Sequence, residues 1–255
     1  MKIRICVPSY GRPNRVETLD YLPNAYVYVA ESQYKNYRKY YSMSNIVGVQ
    51  DKYQGNLCRI RNKILDDNKN VDVVCIVDDD LQGISYWEER EKYDLDTEED
   101  VMAFIMKYSI MAYDLGVKLW GVNVNQDKQV YREYSPFSFI SYIGGPFMCH
   151  LKTDLRFDER LPLKEDYDFT LQNLNRYRKV LRVNKYFYRV RQVEQAGGCA
   201  FYRNMEEKKR QMILLQKKWG SHIVRKDYNP RSHNLKKKKR LLDINPVIYP
   251  PIKGI

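Results

Sequence analysis

The sequence predicts an α/β protein with a mostly parallel sheet flanked by helices and a basic extension at its C-terminal end. Three observations carry this. Val71-Asp72-Val73-Val74-Cys75-Ile76-Val77 is an almost unbroken apolar run that ends in Asp78-Asp79-Asp80. A run without polar alternation fits a strand covered on both faces, as in a parallel sheet between helix layers. Strand and helix patterns then alternate through the first 125 residues, which is the signature of βα units. Finally, charge is split along the chain: residues 1–150 hold 18 Lys+Arg against 21 Asp+Glu, a net of −3, and residues 151–255 hold 26 against 11, a net of +15.

The elements follow in order. Lys2–Pro8 is a first strand carried by Ile3, Ile5 and Val7, and it ends in the breaker-rich loop Pro8-Ser9-Tyr10-Gly11-Arg12-Pro13. Asn14–Leu22 reads as a short helix, Ala25–Ala30 as a second strand ending at Glu31, and Gln33–Tyr41 as a helix. Asn45–Val49 is a third strand. Gln54–Asp67 is a helix with Leu57, Ile60, Ile64 and Leu65 on one stripe, and it leads into the buried strand Val71–Val77. Asp96-Thr97-Glu98-Glu99-Asp100 caps a long helix with Val101, Phe104, Ile105, Tyr108 and Ala112 on its apolar face, closed by Gly116. Val117–Val124 is the next strand, and Ser135–Leu151 is strand-like with an interruption at Gly144-Gly145-Pro146. Glu165–Arg178 and Asn204–Trp219 read as helices around a β-rich stretch, Val180–Val193. The last thirty residues, with Lys236-Lys237-Lys238-Lys239-Arg240 and Pro246, Pro250 and Pro251, read as a tail over the surface or partly disordered.

Composition excludes several classes. A hydrophobic content of 44% with 13% aromatics rules out a wholly disordered chain. No apolar run reaches the ~18 residues needed to span a bilayer, so a cytoplasmic protein is expected. Five cysteines stand singly with no C-x-x-C pair, against both a disulfide framework and a structural zinc site. No G-x-x-x-x-G-K-[ST] occurs, which speaks against a P-loop ATPase. The positive C-terminal half fits a polyanionic partner, or simply a charged, solubilising surface.

Three carboxylates at the carboxyl end of a buried strand sit where open α/β sheets bind ligands. Crowding them raises at least one pKa or recruits a cation, and a divalent metal carrying phosphates is the usual partner. A solvated turn of acids is the plainer alternative. Taken together, Pro8-Ser9-Tyr10-Gly11-Arg12-Pro13, Glu31, Arg61-Asn62, Val77-Asp78-Asp79-Asp80 and Lys164-Glu165-Asp166-Tyr167-Asp168 resemble, in order and spacing, a GT-A fold nucleotide-sugar glycosyltransferase. The opening motif, Gly55-Asn56 to Asn62, Gly144-Gly145-Pro146 and Glu165–Leu171 are most similar to the phage TET-associated, DNA-modifying glycosyltransferases, a group that attaches sugars to hydroxymethylated pyrimidines such as 5-hydroxymethylcytosine.

That resemblance implies a UDP-sugar donor and a Mn²⁺ or Mg²⁺ ion. It places Asp80 on the metal and Asp78 on the metal or ribose, with Asp79 beside them in the donor site or turned to the opposite side. Pro8, Ser9, Tyr10 and Arg12 would line the uridine and diphosphate pocket, Glu31 would bond ribose or base, Arg61 would reach the pyrophosphate, and Gly144 and Gly145 would let backbone approach the sugar. Asp166 takes the position of the general base, with Glu165 beside it and Asp168 as substitute; helix-dipole compensation is the structural alternative. His222 is the candidate C-terminal metal ligand.

The acceptor side is read from charge. Arg203, Lys217, Arg225, Lys226 and Lys236, Lys237, Lys238, Lys239 and Arg240 form a candidate phosphate-tracking surface for DNA, and Trp219 a candidate base-stacking platform. The expected organisation is a core over 1–195, with a nucleotide-sugar half to about 125 and an acceptor half beyond it, followed by a basic extension over 196–255. Competing readings are a glycosyltransferase for polysaccharide, glycolipid or protein, a nucleotidyltransferase, and a non-catalytic DNA-binding protein on an inherited fold.

Overall fold

A computed structural model describes residues 1–129, 131–190, 198–226 and 244–253. Its centre is a ten-stranded sheet. β1 (Ile3–Pro8), β2 (Tyr26–Ala30), β3 (Asn45–Val49) and β4 (Val73–Val77) lie in the order β3-β2-β1-β4, all parallel. Beyond β4 the sheet becomes mixed. β7 (Leu119–Asn123), β8 (Phe137–Ser138), β9 (Phe147–Leu151) and β10 (Leu181–Val190) join it, β9 running antiparallel between β4 and β7.

β4 explains its own composition. Val73, Cys75 and Val77 enter one hydrophobic cluster, while Val74 and Ile76 enter the other. Both pleat faces are therefore apolar, and polar alternation is absent because neither face meets water. On the first face lies α4 (Glu98–Asp114), which buries Val101, Phe104, Ile105, Tyr108 and Ala112. Burying side chains of this size contributes roughly 1.5–3 kcal/mol each. On the second lie α3 (Leu57–Asp67), α5 (Glu165–Tyr177) and α6 (Met205–Trp219), inserting Ile60 and Ile64, Phe169 and Leu174, and Met212 and Leu215.

Helix starts follow local chemistry. Thr97 and Asp100 form a reciprocal capping box, and the Asn56 side chain accepts from the backbone N–H groups of Cys58 and Arg59. Gly55 just before it holds φ +75°, so the loop reaches its cap through a backbone conformation that a side chain would strain. The helix expected over Asn14–Leu22 shrinks to α1 (Thr18–Tyr21). Tertiary bonds claim its first turn: Val16 donates to the Tyr41 hydroxyl at 2.8 Å, and Thr18 Oγ1 donates to the Asp78 carbonyl at 2.6 Å.

Four strands have no counterpart in the sequence reading. β5 (Leu81–Glu88) and β6 (Glu91–Asp94) form a hairpin at the sheet edge, with β5 antiparallel to β10. Its two turn residues, Glu89 and Arg90, take φ +48° and +69°. Turns of this kind are normally written Asn-Gly or Asp-Gly, so no local signal marks this one. The C-terminal residues return as β12 (Pro246–Ile248), antiparallel to β11 (Val224–Lys226). Lys236, Lys237, Lys238, Lys239 and Arg240 lie outside the described residues. No helix among the described residues is long and apolar enough to cross a membrane, and the five cysteines are all free.

Candidate active site

The parallel strands deliver their carboxyl ends to one cleft of about 350 Å³. Pro8, Ser9, Tyr10 and Arg12 form one wall, Asp78, Asp79 and Asp80 the floor, and Gly55, Asn56 and Leu57 a second wall. The three aspartates play different parts. Asp79 is buried and points into the loop after β1, accepting from Ser9 Oγ at 2.6 Å and pairing with Arg12 Nη1 at 2.5 Å. Asp78 accepts from Arg61 Nη2 at 2.8 Å. Asp80 has no cationic partner of its own among the described residues. Burial, then the neighbouring Asp78 and Asp79 charges, push its pKa up to about 7, opposed by Arg12.

Arg61 joins this cluster to the second one. Its fully buried guanidinium bonds Asp78, the Gly145 carbonyl at 3.0 Å and Glu165 Oε1 at 3.2 Å. Burial works against its charge, and the Asp78 and Glu165 carboxylates outweigh that effect, holding the guanidinium pKa above its ordinary value. Burial and the adjacent Asp166 raise Glu165 to about 8 against the pull of Arg61. Asp166, next along α5, accepts from the Gly145 N–H at 3.1 Å and from the Tyr142 hydroxyl. Tyr142 stacks on Tyr167 at 4.1 Å, so the hydroxyl is aimed by a fixed ring. The strand-end acids and the helix-start acids thus share one set of bonds.

The family model described as TET-Associated Glycosyltransferase matches residues 3–198. The chain belongs to this family. It is therefore a glycosyltransferase. Among solved structures, the S. aureus TarS 1–349 chain is similar at 13% identity and TM-score 0.47, covering 95% of this chain and 77% of that one. A197 from STIV is similar at 12% identity and TM-score 0.42, covering 76% and 87% respectively. No curated protein matches.

Within this TET-associated glycosyltransferase, several residues expected to touch ligand touch protein instead. Arg61 has its guanidinium spent on Asp78, Glu165 and Gly145, so a reach to pyrophosphate is not how the structure uses it. Ser9 Oγ bonds Asp79 and lies 2.9 Å from the Tyr37 hydroxyl, shaping the loop around Arg12. Gly144 and Gly145 permit close approach, but of the chain's own side chains. A Cβ on Gly144 would stand 2.6 Å from the Tyr188 hydroxyl, and one on Gly145 would stand 3.3 Å from Arg61 and from Asp166 Oδ2.

Glu31 is exposed at the end of β2 and does not line the cleft. Asp168 is turned away from Asp166: it accepts from the Trp219 indole N–H at 2.7 Å and from Lys218 at 2.9 Å, tying α6 to α5. That bond corrects the reading of Asp168 as a substitute base. It also commits the Trp219 ring edge to the protein. His222 is exposed in the turn after α6, and no three His, Cys, Asp or Glu side chains among the described residues converge as a metal cage. Lys217, Arg225 and Lys226 are exposed, Arg225 lying over the Tyr249 ring at 4.7 Å.

The sequence reading missed one wall. Residues 198–203 close the cleft with Cys199, Tyr202 and Arg203. The Gly198 N–H donates to the Tyr10 carbonyl at 2.9 Å, and the Phe201 ring meets Tyr10 edge-on at 5.7 Å. Nothing local could have found this contact, because its partners are almost 190 residues apart.

Proposed function

We propose that the protein transfers a sugar from a UDP-sugar to a hydroxymethylated pyrimidine base in DNA, as in phage DNA modification, with inversion at the anomeric carbon. One observation carries the reading: Asp78 and Glu165 share the single guanidinium of Arg61, which brings the donor-side acids and the α5 acids into one site.

A divalent cation fits the residues present. Burial, together with the neighbouring Asp78 and Asp79 charges, drives Asp80 to about 7 even with Arg12 opposing. Asp80 forms no ion pair of its own among the described residues, and an all-carboxylate donor set suits Mg²⁺ or Mn²⁺. Asp80 and the free oxygen of Asp78 would hold the ion. Such ions are usually bound by one or two carboxylates with phosphates and water completing the shell, so two carboxylates suffice. When bound, it neutralises the charge that develops on the departing diphosphate. Tyr10 gives a ring at the cleft wall for the base. Asp166 takes the proton from the acceptor hydroxyl as that oxygen attacks, and Gly145 and Tyr142 hold its carboxylate in place.

The DNA acceptor is supported by the +15 charge of residues 151–255 and by exposed Lys217, Arg225 and Lys226. The deciding assay incubates the protein with UDP-glucose or UDP-N-acetylglucosamine, Mn²⁺ and DNA containing 5-hydroxymethylcytosine, followed by nucleoside mass analysis. A hexose or N-acetylhexosamine mass on the modified nucleoside is the expected result. Sugar transfer to another acceptor with unlabelled DNA would reject the DNA reading. Neutralising Lys217 and Lys226 together is expected to flatten the plot of log binding constant against log salt, by about 0.9 for each phosphate that is no longer neutralised.

Asp80 supplies a pH prediction. Its pKa is about 7 in the folded protein, against about 3.9 in an unfolded chain. The folded state holds the extra proton between those values, so the destabilisation is absent below about pH 4 and complete above about 7. Without divalent ions, the unfolding temperature is expected to fall as pH rises across that window. Mn²⁺ should raise it more at pH 8 than at pH 5, and Asp80→Asn should abolish this difference together with donor turnover.

A further inference from the structure

Two arginines line the cleft, and they are not equivalent. Arg12 is neutralised within the protein by buried Asp79 at 2.5 Å. Arg61, just behind the cleft, spends its Nη1 and Nη2 groups on Asp78, Glu165 and Gly145. Arg203 is different: it is exposed at the cleft wall, and its guanidinium makes no hydrogen bond or ion pair among the described residues.

Its backbone is nonetheless held. The Arg203 N–H donates to the Cys199 carbonyl at 3.0 Å in the turn that follows the helical segment Gly198–Phe201. The Tyr202 hydroxyl accepts from the Leu57 N–H at 3.4 Å, and Gly198 is clasped to Tyr10 on the opposite wall. A Cβ at Gly198 would lie 3.3 Å from Arg12 Nη2, so this segment passes directly over the loop after β1. The cleft therefore has carboxylates on its floor and, on a wall built from a distant part of the chain, a guanidinium with no partner among the described residues. An arginine fork is suited to two phosphate oxygens at once, and no acid among the described residues pairs with this one.

We propose that Arg203 binds the diphosphate of the nucleotide donor, and that segment 198–203 thereby completes the donor site. The inference rests on the nucleotide-sugar reading of the cleft and assigns to Arg203 the phosphate role first expected of Arg61. It removes Arg203 from the DNA-facing surface.

The test is equilibrium binding by calorimetry in Mn²⁺ buffer, comparing UDP with uridine for the wild-type chain, Arg203→Ala and Arg203→Lys. Losing a charge-assisted pair is expected to weaken UDP about 10- to 100-fold in Arg203→Ala, with uridine affinity unchanged. Arg203→Lys should recover part of the loss, since it keeps the charge without the fork. Lys69→Ala, an exposed lysine away from the cleft, serves as a control and should leave UDP affinity unchanged. Because the Arg203 side chain is exposed and makes no bond among the described residues, the unfolding temperature of Arg203→Ala should match the wild type. If the wild type prefers UDP to uridine and Arg203→Ala keeps that preference, the assignment of Arg203 is wrong while the donor reading stands. If the wild type shows no preference for UDP, GDP, ADP or CDP over the parent nucleosides, the donor reading fails and this inference with it.

Discussion

Replacing Arg61 with methionine is expected to cost about 3 kcal/mol of folding stability, the lower end of the range for breaking a buried pair by deleting one partner. The lower end applies because the Asp78 side chain keeps 30% of its surface exposed, whereas the Glu165 side chain keeps 8%. With typical total stabilities of about 5–15 kcal/mol, such a loss is large and should be plain in a denaturant midpoint. The cost comes from the two acids left behind without their donor, more than from the attraction removed. Arg61→Met combined with Glu165→Gln should therefore be less damaging than the sum of the two single changes, by on the order of 1 kcal/mol or more. If Arg61 instead reached into the cleft for phosphate, Arg61→Met would leave stability within about 0.5 kcal/mol and chiefly weaken donor binding.

The second large effect falls on turnover. Asp166→Asn is expected to lower kcat by about 10²- to 10⁴-fold, the range associated with losing a positioned proton acceptor, with little change in the KM for the UDP-sugar. The asparagine amide faces two fixed donors, the Gly145 N–H and the Tyr142 hydroxyl. Its NH₂ group cannot accept from either, and an amide oxygen turned toward them is a poor base. Donor binding should survive because Asp80, Tyr10 and the loop after β1 are untouched by the change. Steady-state kinetics with varied donor separates the two parameters, and NMR of the early product gives the anomeric configuration. A near-normal rate for Asp166→Asn, or a product with retained configuration, would remove Asp166 from the proton-transfer step.

Much of the fold was legible because it rests on short-range pattern. The apolar run of β4, the periodic face of α4 and the cap at Thr97 are written in neighbouring residues, and the structure uses them as read. The β5–β6 hairpin was not legible, since Glu89 and Arg90 adopt positive φ without the glycine or asparagine that normally announces it. α1 was overestimated, because helical spacing says nothing about the tertiary partners waiting for Val16 and Thr18.

The same division runs through the site. By itself the sequence determined which carboxylates close β4, which acids open α5, and that the chain's charge is positive beyond residue 150, because each of these is a property of adjacent or summed residues. Only the tertiary structure decided where each charge finds its partner. It gave Asp79 to Arg12, Arg61 to both acid clusters and Asp168 to Trp219, and it left the guanidinium of Arg203 over the cleft. The physical reason is that a charge buried on folding must be compensated within a few ångströms, and residues brought that close by a sheet are separated in sequence by distances no local pattern encodes.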